Sequence, residues 1–356
     1  MRQAAVRQRR AVLDLCRLAA AYAIVWLHAV QSPELANSTS LGRFAVPFFV
    51  FATVLLTFET VGANPQRGRR KYVASRFWRL YVPFLAWSGL YLAFKLAKGT
   101  LLPGEPNNYP GINLLWTGGC WHLWFLPLIL VVNLAAFETA RLLAVRPALA
   151  PHVLAISLAA GALVASLPVA PDVEPSSSEL LSLVQYRSLV TDALPAVFWG
   201  IALAIACRVH GARIFEHRAS ACVGVLLALI STAWIWHFGR DRLAETLAGL
   251  GFVLFAFPLR GAGFQVASSQ ASHRPGFRGA SFQLAIPRLA EQAGSLAFGV
   301  YLAHILWIKV LHTVAAKSGI PVCWELDVAV FFLSAIASTV LAWAAARSRW
   351  TRWTVA

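Results

Sequence analysis

The most informative feature of this sequence is how little charge it carries and how few polar stretches interrupt it. Only 13% of its 356 residues are Asp, Glu, Lys or Arg, whereas 58% are hydrophobic. A water-soluble core cannot enclose that much apolar surface. The longest polar stretch, near residues 259–293, is short and rich in Gly and Ser, so it does not predict a separate soluble domain. The composition predicts one integral membrane domain over residues 1–356.

Two further absences exclude other classes of function. The five cysteines form no CxxC pair and have no histidine at zinc-finger spacing, so neither a metal site nor a disulfide framework is predicted. The net charge of +16 comes from Lys and Arg in short loops between apolar runs, not along one polar face. We therefore expect membrane lipids, and no nucleic acid, around this chain.

Runs of about twenty apolar residues predict transmembrane helices. Turn-forming stretches such as "LPGEPNNYPG" and "APDVEPSSSE" separate them. Ten runs lie near residues 13–31, 44–61, 81–98, 122–140, 152–168, 190–207, 219–238, 243–259, 295–313 and 325–346. Most Lys and Arg fall in loops on the side of the N-terminus, which predicts that both termini are cytoplasmic. The predicted fold class is an all-α integral membrane protein with about ten transmembrane helices.

The first predicted helix, "LDLCRLAAAYAIVWLHAV", carries three polar residues that lipid alone does not tolerate. Arg17 and His28 differ by only about 20° around the helix axis, and Asp14 falls within about 60° of that line. The rise of ~1.5 Å per residue puts His28 roughly 16 Å beyond Arg17. This stripe predicts a path with Asp14 and Arg17 at the cytoplasmic face and His28 past the membrane midplane.

These three residues also have structural interpretations, which the sequence leaves open. Asp14 and Arg17 could be an interfacial pair that anchors the helix, and His28 could be a hydrogen-bonded interior histidine. However, histidine can be buried in its neutral form, and its unperturbed pKa of about 6.5 suits it to take and return a proton. We therefore predict that His28 is a catalytic base and that Asp14 supports it.

A basic stretch, "RGRRKYVASRFWRLYVPF", leads into the third predicted helix. Its first four basic residues have the ordinary excess of positive charge on the cytoplasmic side. Arg76 and Arg79 lie next to the apolar run and are spaced i, i+3, so both guanidinium groups could face one ligand. Because Arg makes planar two-point contacts with phosphate, this pair predicts a site for a phosphate-bearing cytoplasmic donor.

Two more histidines lie in or beside apolar runs. His122 occurs in "GGCWHLWFLPL", and His304 occurs in "FGVYLAHILW" one turn after Tyr301. Each histidine alone is more often structural than catalytic. Together with His28 they indicate an interior polar cavity, and we expect His122, Tyr301 and His304 to support the site.

The outer loop between the third and fourth helices contains Tyr109, Trp116 and Trp121 among amide side chains. Aromatic rings beside amides suit a carbohydrate, so these residues are candidates for binding a sugar acceptor. An interfacial aromatic belt explains Trp116 and Trp121 equally well.

The order of these motifs resembles membrane-bound acyltransferase family three, bacterial integral-membrane enzymes that modify surface polysaccharides, lipopolysaccharide and periplasmic glucans. The resemblance covers nearly the whole chain. It is carried by "LDLCRLAAAYAIVWLHA", "FAVPFFVFATVLLTF", "RFWRLYVPF", "HLWFLPLIL" and "GVYLAHILW". The chain departs from the family pattern at "LCRLA", where Gly often follows Arg, and at "FVFATVLL", where a Ser-Gly pair is common.

The resemblance implies a function as well as a fold. It implies transfer of an acetyl group from cytoplasmic acetyl-CoA, a cosubstrate, to a hydroxyl of a surface polysaccharide or its lipid-linked oligosaccharide precursor. No permanently bound cofactor is implied. His28 matches the family's catalytic residue, whereas Arg17, Arg76 and Arg79 match its functional arginines and are expected to bind the donor. The implied location is the bacterial inner membrane, and an exopolysaccharide acetyltransferase of the xanthan type is the expected subclass.

The rival hypothesis is a polytopic transporter or flippase for a lipid-linked sugar, in which the same polar residues bind substrate and relay protons. Such proteins commonly contain duplicated halves with Gly- or Pro-broken helices at matching positions. The sequence shows neither feature.

Overall fold

The computed structural model describes residues 11–64, 66, 68–101, 114–168, 179–209, 218–257, 280–349 and 351–355. These parts of the chain contain helices, turns and no strand. The α-helices are α1 (Ala11–Ala29), α2 (Ala45–Ala63), α3 (Arg69–Arg76), α4 (Val82–Leu101), α5 (Leu114–Thr117), α6 (Phe125–Val145), α7 (Ala150–Ser166), α8 (Glu179–Val209), α9 (Arg218–Phe238), α10 (Arg242–Ala256), α11 (Ala280–Lys317) and α12 (Trp324–Arg347). Short 3₁₀ segments lie at Pro33–Gly42, Trp121–Trp124, Pro147–Leu149 and Arg352–Thr354, and a π-helical turn lies at Phe77–Tyr81.

Nine helical stretches in the described ranges are long and apolar enough to cross a membrane. They correspond to nine of the ten predicted helices and confirm an all-α integral membrane protein. The remaining predicted helix, near 243–259, is α10, which has 15 residues. At ~1.5 Å per residue α10 spans about 22 Å, less than the roughly 30 Å of a hydrocarbon core.

Several helices extend beyond their apolar runs. The predicted helix at 295–313 is the 38-residue α11, and the one at 81–98 continues back through the π-helical turn to α3. Hydropathy predicts only the part of a helix that lies in apolar surroundings, not where the helix begins and ends. Backbone hydrogen bonding does not end at that boundary, so polar residues continue the same helix.

The chain forms two compact units, each described by itself. The first unit comprises Met1–Phe49, Cys207–Arg240 and Ala244–Ala344. The second comprises Val50–Ala206, Asp241–Leu243 and Ala345–Ala356. The first unit therefore contains α1, α9, most of α10, and α11 with nearly all of α12, whereas α3 to α7 lie in the second.

Within the first unit, α1 and α11 run in the same direction. A Cβ added to Gly294, near the middle of α11, would lie 2.7 Å from the Asp14 carboxyl carbon. At the other end, the His312 ring contacts the Ala29 carbonyl at 3.2 Å.

Helices α9 and α10 pack closely against each other in the first unit. A Cβ on Gly224 would lie 2.7 Å from the backbone nitrogen of Phe255, and one on Gly251 would lie 2.6 Å from that of Ala228. These contacts pair the start of α9 with the end of α10, so the two helices are antiparallel. Small residues allow the backbones to approach this closely, as is typical of helix pairs in membranes. The placement of both termini on the cytoplasmic side stays a prediction.

The segment Pro33–Gly42 folds back along α1 as a ten-residue 3₁₀ helix. Trp26 donates from its indole nitrogen to the backbone and side-chain oxygens of Ser38, at 3.1 Å each, and Gly42 packs on the backbone of Ala23. Asn, Ser and Thr side chains in this segment compete for backbone hydrogen bonds, which disfavours a regular α-helix. The segment therefore lies beside the half of α1 that contains His28.

In the second unit, Arg242 closes the end of α7. Its side chain is only 2% exposed and pairs with Asp192 at 2.6 Å. It also donates to the carbonyl oxygens of Val164 and Leu167 at 3.1 and 2.6 Å. The last carbonyl groups of a helix have no partner within the helix and attract a cation. This arrangement explains how a membrane protein buries an arginine here.

Candidate active site

The polar stripe of α1 begins with an ion pair. Arg17 donates to Asp14 at 2.9 Å, one turn apart on the helix, and both side chains are partly buried. The close approach of Gly294 leaves no space for a larger residue against the Asp14 carboxyl group. Arg17 is thus oriented by Asp14 in the first unit, with its hydrophobic stem along α1.

His28 and His304 come together further along the same two helices. Their rings stack with centroids 5.4 Å apart and planes inclined by 13°. His304 is fully buried, His28 is half-buried, and Tyr301 lies one turn before His304 with its ring centroid 6.0 Å away. Of the predicted supporting residues, Tyr301 and His304 are therefore placed beside the predicted base.

The hydrogen bonds of His304 define its tautomer. Its Nδ1 lies 2.7 Å from the Tyr301 carbonyl oxygen and 3.3 Å from that of Val300. Because carbonyl oxygens only accept, Nδ1 carries the proton and donates, and the neutral ring has its lone pair on Nε2. The backbone of α11 thereby holds the His304 ring in one orientation against His28.

Arg43 is a site residue that the sequence did not indicate. It lies directly after the 3₁₀ segment, which packs along the half of α1 that contains His28. Glu245 lies 3.5 Å from Arg43 and 3.3 Å from Arg240, so one carboxylate contacts two guanidinium groups. The sequence showed Arg43 only as a basic residue of an outer loop. Its position depends on the packing of Pro33–Gly42 along α1, which the sequence pattern did not predict.

The second unit holds the predicted donor arginines. Arg76 is half-buried and lies over the ring of Tyr72, with its guanidinium carbon 5.0 Å from the ring centroid. Its Nε is buried and has no hydrogen-bond partner in the described part of the chain. A buried guanidinium nitrogen with an unused donor can bind an anionic ligand.

Arg79 does not follow the α-helical geometry that the i, i+3 spacing assumed. It lies in the π-helical turn Phe77–Tyr81 and is exposed, whereas Arg76 ends the preceding α-helix. A π-turn closes on i→i+5 hydrogen bonds, so regular α-helical spacing does not apply between the two residues. That both guanidinium groups contact one donor stays a prediction. Single π-turns occur frequently at functional sites, so the segment Phe77–Tyr81 stays a candidate for ligand binding.

A buried polar network lies beneath Arg76 and was not predicted. The Tyr72 hydroxyl is 3.3 Å from both the Thr57 hydroxyl and the Asn133 side-chain oxygen, and Thr57 donates to Asn133 at 3.2 Å. Tyr72 is fully buried and stacks on Phe137 with centroids 4.0 Å apart. This network fixes the ring on which the Arg76 guanidinium lies. The sequence did not indicate Tyr72, because it lies among basic residues whose pattern predicts only a cytoplasmic loop.

The remaining predicted residues are also in the second unit. His122 is buried, and its ring meets the Tyr91 ring edge-on at 5.2 Å. Trp121 is exposed and Trp116 is half-exposed, whereas Tyr109 lies outside the described residues. The predicted roles of these residues in support and in acceptor binding stay predictions.

Comparison with known proteins decides the family. A family model described as an acyltransferase domain, acyltransferase family 3, matches residues 10–347. The chain belongs to acyltransferase family 3. The match spans α1 to the end of α12 and therefore includes both the His28–His304 pair and the Arg76 segment. No curated protein and no solved structure matches the chain. This protein is a membrane acyltransferase, and the stacked histidines are its candidate catalytic pair.

Proposed function

We propose that this acyltransferase moves an acetyl group from acetyl-CoA to a sugar hydroxyl of a surface polysaccharide or of its lipid-linked precursor. The observation that carries the proposal is the buried stack of His28 on His304 in a member of acyltransferase family 3. A histidine pair enclosed by apolar helices suits proton transfer from an alcohol, which needs a base near neutral pH.

His28 is the base in this mechanism. It takes the proton of the acceptor hydroxyl as the oxygen attacks the thioester carbon, and an ester bond forms while the carbon–sulfur bond breaks. The proton then passes from His28 to the leaving sulfur, which departs as CoA thiol. In the second route the imidazole attacks the thioester carbon, the carbon–sulfur bond breaks and CoA leaves as thiolate. The acceptor hydroxyl then attacks the acyl carbon of acyl-His28, the carbon–nitrogen bond breaks to free His28, and the hydroxyl proton goes to the CoA thiolate.

Arg76 and Arg79 bind the phosphates of the donor, and Arg17 is also assigned to donor binding. The unused Nε donor of Arg76 supports this assignment, because a phosphate oxygen is a strong acceptor for guanidinium. Arg43 contributes positive charge beside His28, where negative charge develops on the thioester oxygen. The acceptor enters from the outer face, and the protein works in the bacterial inner membrane.

Transfer by purified protein tests the proposal. The full chain is reconstituted in liposomes with radiolabelled acetyl-CoA and with membrane extract from cells that lack the gene as acceptor source. We expect label in a glycan fraction with wild-type protein and none with His28→Ala. His237→Ala is the matched control, because His237 is an exposed histidine at the end of α9. Transfer by His28→Ala at the wild-type rate would overturn the catalytic assignment.

The acceptor is identified by comparing surface glycans from cells with and without the protein. Loss of one O-acetyl group in the deletion strain would name both the acyl group and the modified sugar. A transporter or flippase is the alternative class, and it predicts wild-type transport without any consumption of acetyl-CoA. Thioester cleavage that depends on His28 excludes that alternative.

A further inference from the structure

Asp327 is a buried carboxylate that the proposed chemistry does not use. It lies in the first turn of α12 and is fully buried. An ionisable side chain inside a membrane protein is costly unless it is paired or hydrogen-bonded, so its contacts indicate why it is there. Its carboxylate faces the chain that leaves α1.

The contacts of Asp327 are to two consecutive backbone amides. Its Oδ2 accepts hydrogen bonds from the backbone nitrogens of Gln31 and Ser32, at 3.1 and 2.9 Å. These amides follow the end of α1 directly, at the turn into the 3₁₀ segment. Buried N–H groups at such a turn need an acceptor, and charge-assisted bonds to a carboxylate are stronger than neutral ones. Asp327 therefore holds the exit of α1 in one conformation.

A second contact holds the same exit from α11. Nε2 of His312 lies 3.2 Å from the carbonyl oxygen of Ala29, the last residue of α1. A carbonyl oxygen only accepts, so His312 donates from Nε2. The final carbonyl groups of a helix have no partner within it, and His312 satisfies this one. We call the group Ala29, Gln31, Ser32, His312 and Asp327 the α1 clamp.

We propose that Asp327 is a positioning residue which, through the α1 clamp, keeps His28 stacked on His304. His28 is the residue before Ala29, and His304 is eight residues before His312 on α11, about 12 Å along the helix. The clamp therefore sets the register of α1 against α11 next to the reacting rings. A displacement of about 1 Å in such a site can reduce the rate on the order of 100-fold. This inference rests on the proposed function, because it assumes that the His28 ring does the chemistry.

Substitutions at Asp327 separate positioning from charge. Asp327→Asn keeps an oxygen that accepts from Gln31 and Ser32, whereas Asp327→Leu removes the acceptor. Ser334→Ala is the matched control. Ser334 is equally buried, lies seven residues further along the same face of α12, and its hydroxyl has no hydrogen-bond partner within the described ranges.

The assay is acetyl transfer in proteoliposomes, with kcat and the KM for acetyl-CoA measured separately. For Asp327→Leu we expect kcat to fall at least ~30-fold with KM changed less than about 3-fold, because the donor arginines are untouched. Asp327→Asn is expected to keep kcat within about 5-fold of wild type, and Ser334→Ala to match it. Wild-type kcat for Asp327→Leu overturns the clamp, and so does an Asn variant as impaired as the Leu variant.

Ser32→Pro keeps the proposal testable if Asp327→Leu does not fold. It removes one of the two amide donors and leaves the carboxylate in place. The φ of −74° at Ser32 suits proline, so the change adds no backbone strain at that residue. We expect a kcat loss of about 3- to 10-fold, and an unchanged kcat contradicts the clamp. His28→Ala in the same assay separates the two claims. Activity of that variant overturns the proposed function. If His28→Ala is inactive but Ser32→Pro keeps the wild-type kcat, only the clamp is overturned.

Discussion

His28 of α1 and His304 of α11 stack with ring centroids 5.4 Å apart, on two helices that run in parallel. Two imidazolium rings at this distance would repel each other strongly, so the pair holds at most one added proton easily. His304 is oriented by backbone carbonyl groups, and we predict that the half-buried His28 transfers the proton. In this interpretation His28 gains and loses the proton, and His304 holds the His28 ring in place.

Replacement of His304 tests this division of roles. We expect His304→Ala to lower kcat about 100-fold while the KM for acetyl-CoA changes little, because His28 loses the ring that positions it and a displacement of about 1 Å can cost on the order of 100-fold in rate. Acetyl transfer in proteoliposomes is the measurement, with His237→Ala as control. A His304→Ala protein that keeps half of the wild-type kcat would show that the stack is structural.

Arg76 is predicted to act in donor binding. Arg76→Ala removes the buried Nε donor and is expected to raise the Kd for acetyl-CoA at least 10-fold, which corresponds to one charge-assisted hydrogen bond. Binding of labelled acetyl-CoA to the detergent-solubilised protein is the measurement. Arg76→Lys should recover only part of the affinity, because a Lys ammonium lacks the planar fork.

Arg141 provides the matched control for Arg76. Its guanidinium carbon lies 5.6 Å from the ring centroid of Phe137, which stacks on Tyr72. Arg141→Ala therefore removes an equivalent cation–π contact from the other ring of the same stack. We expect its acetyl-CoA affinity to stay within about 3-fold of wild type. Equal losses for Arg76→Ala and Arg141→Ala would indicate general damage to the stack instead of lost donor contact.

Arg43 is predicted to aid the chemical step. Arg43 follows the 3₁₀ segment that packs along the His28 half of α1, and a fixed cation near a developing oxyanion lowers the barrier. Arg43→Ala should reduce kcat about 10- to 100-fold with little effect on acetyl-CoA binding. Arg240→Ala is the comparison, because Arg240 contacts the same Glu245 carboxylate. A larger effect at Arg240 than at Arg43 would contradict this assignment.

The α9–α10 contact predicts a stability effect. A Cβ on Gly251 would lie 2.6 Å from both the backbone nitrogen of Ala228 and the Gly224 carbonyl oxygen, and backbone atoms move only at a cost. We expect Gly251→Ala to destabilise the protein by about 1–3 kcal/mol, seen as a lower Tm in detergent. Gly62→Ala is the control, because a Cβ added to Gly62 would meet no atom within 4 Å. An equal Tm for both variants would exclude tight packing of α9 on α10.

Much of the fold was predictable from local patterns. Length and hydropathy located the nine stretches of the described chain that are long and apolar enough to cross a membrane, because lipid imposes the same apolar requirement on every spanning helix. The boundaries of α11 and α4 were less predictable, since polar residues continue these helices beyond their apolar runs. The 3₁₀ fold-back at Pro33–Gly42 was missed because no periodicity marks a segment held by Trp26 and by packing on α1.

The residues of the candidate site also differ in how far the sequence could predict them. The membrane class, the family motifs and His28 with its Asp14–Arg17 stripe could be predicted from local patterns, because composition and spacing along one helix are local properties. The folded chain alone shows that His304 stacks on His28, that the chain after α1 brings Arg43 back beside the half of α1 that contains His28, and that Asp327 holds the end of α1. These relationships join residues more than 200 positions apart in two of the three cases. The packing of α1, α11 and α12 creates them, and no local pattern encodes which helices become neighbours.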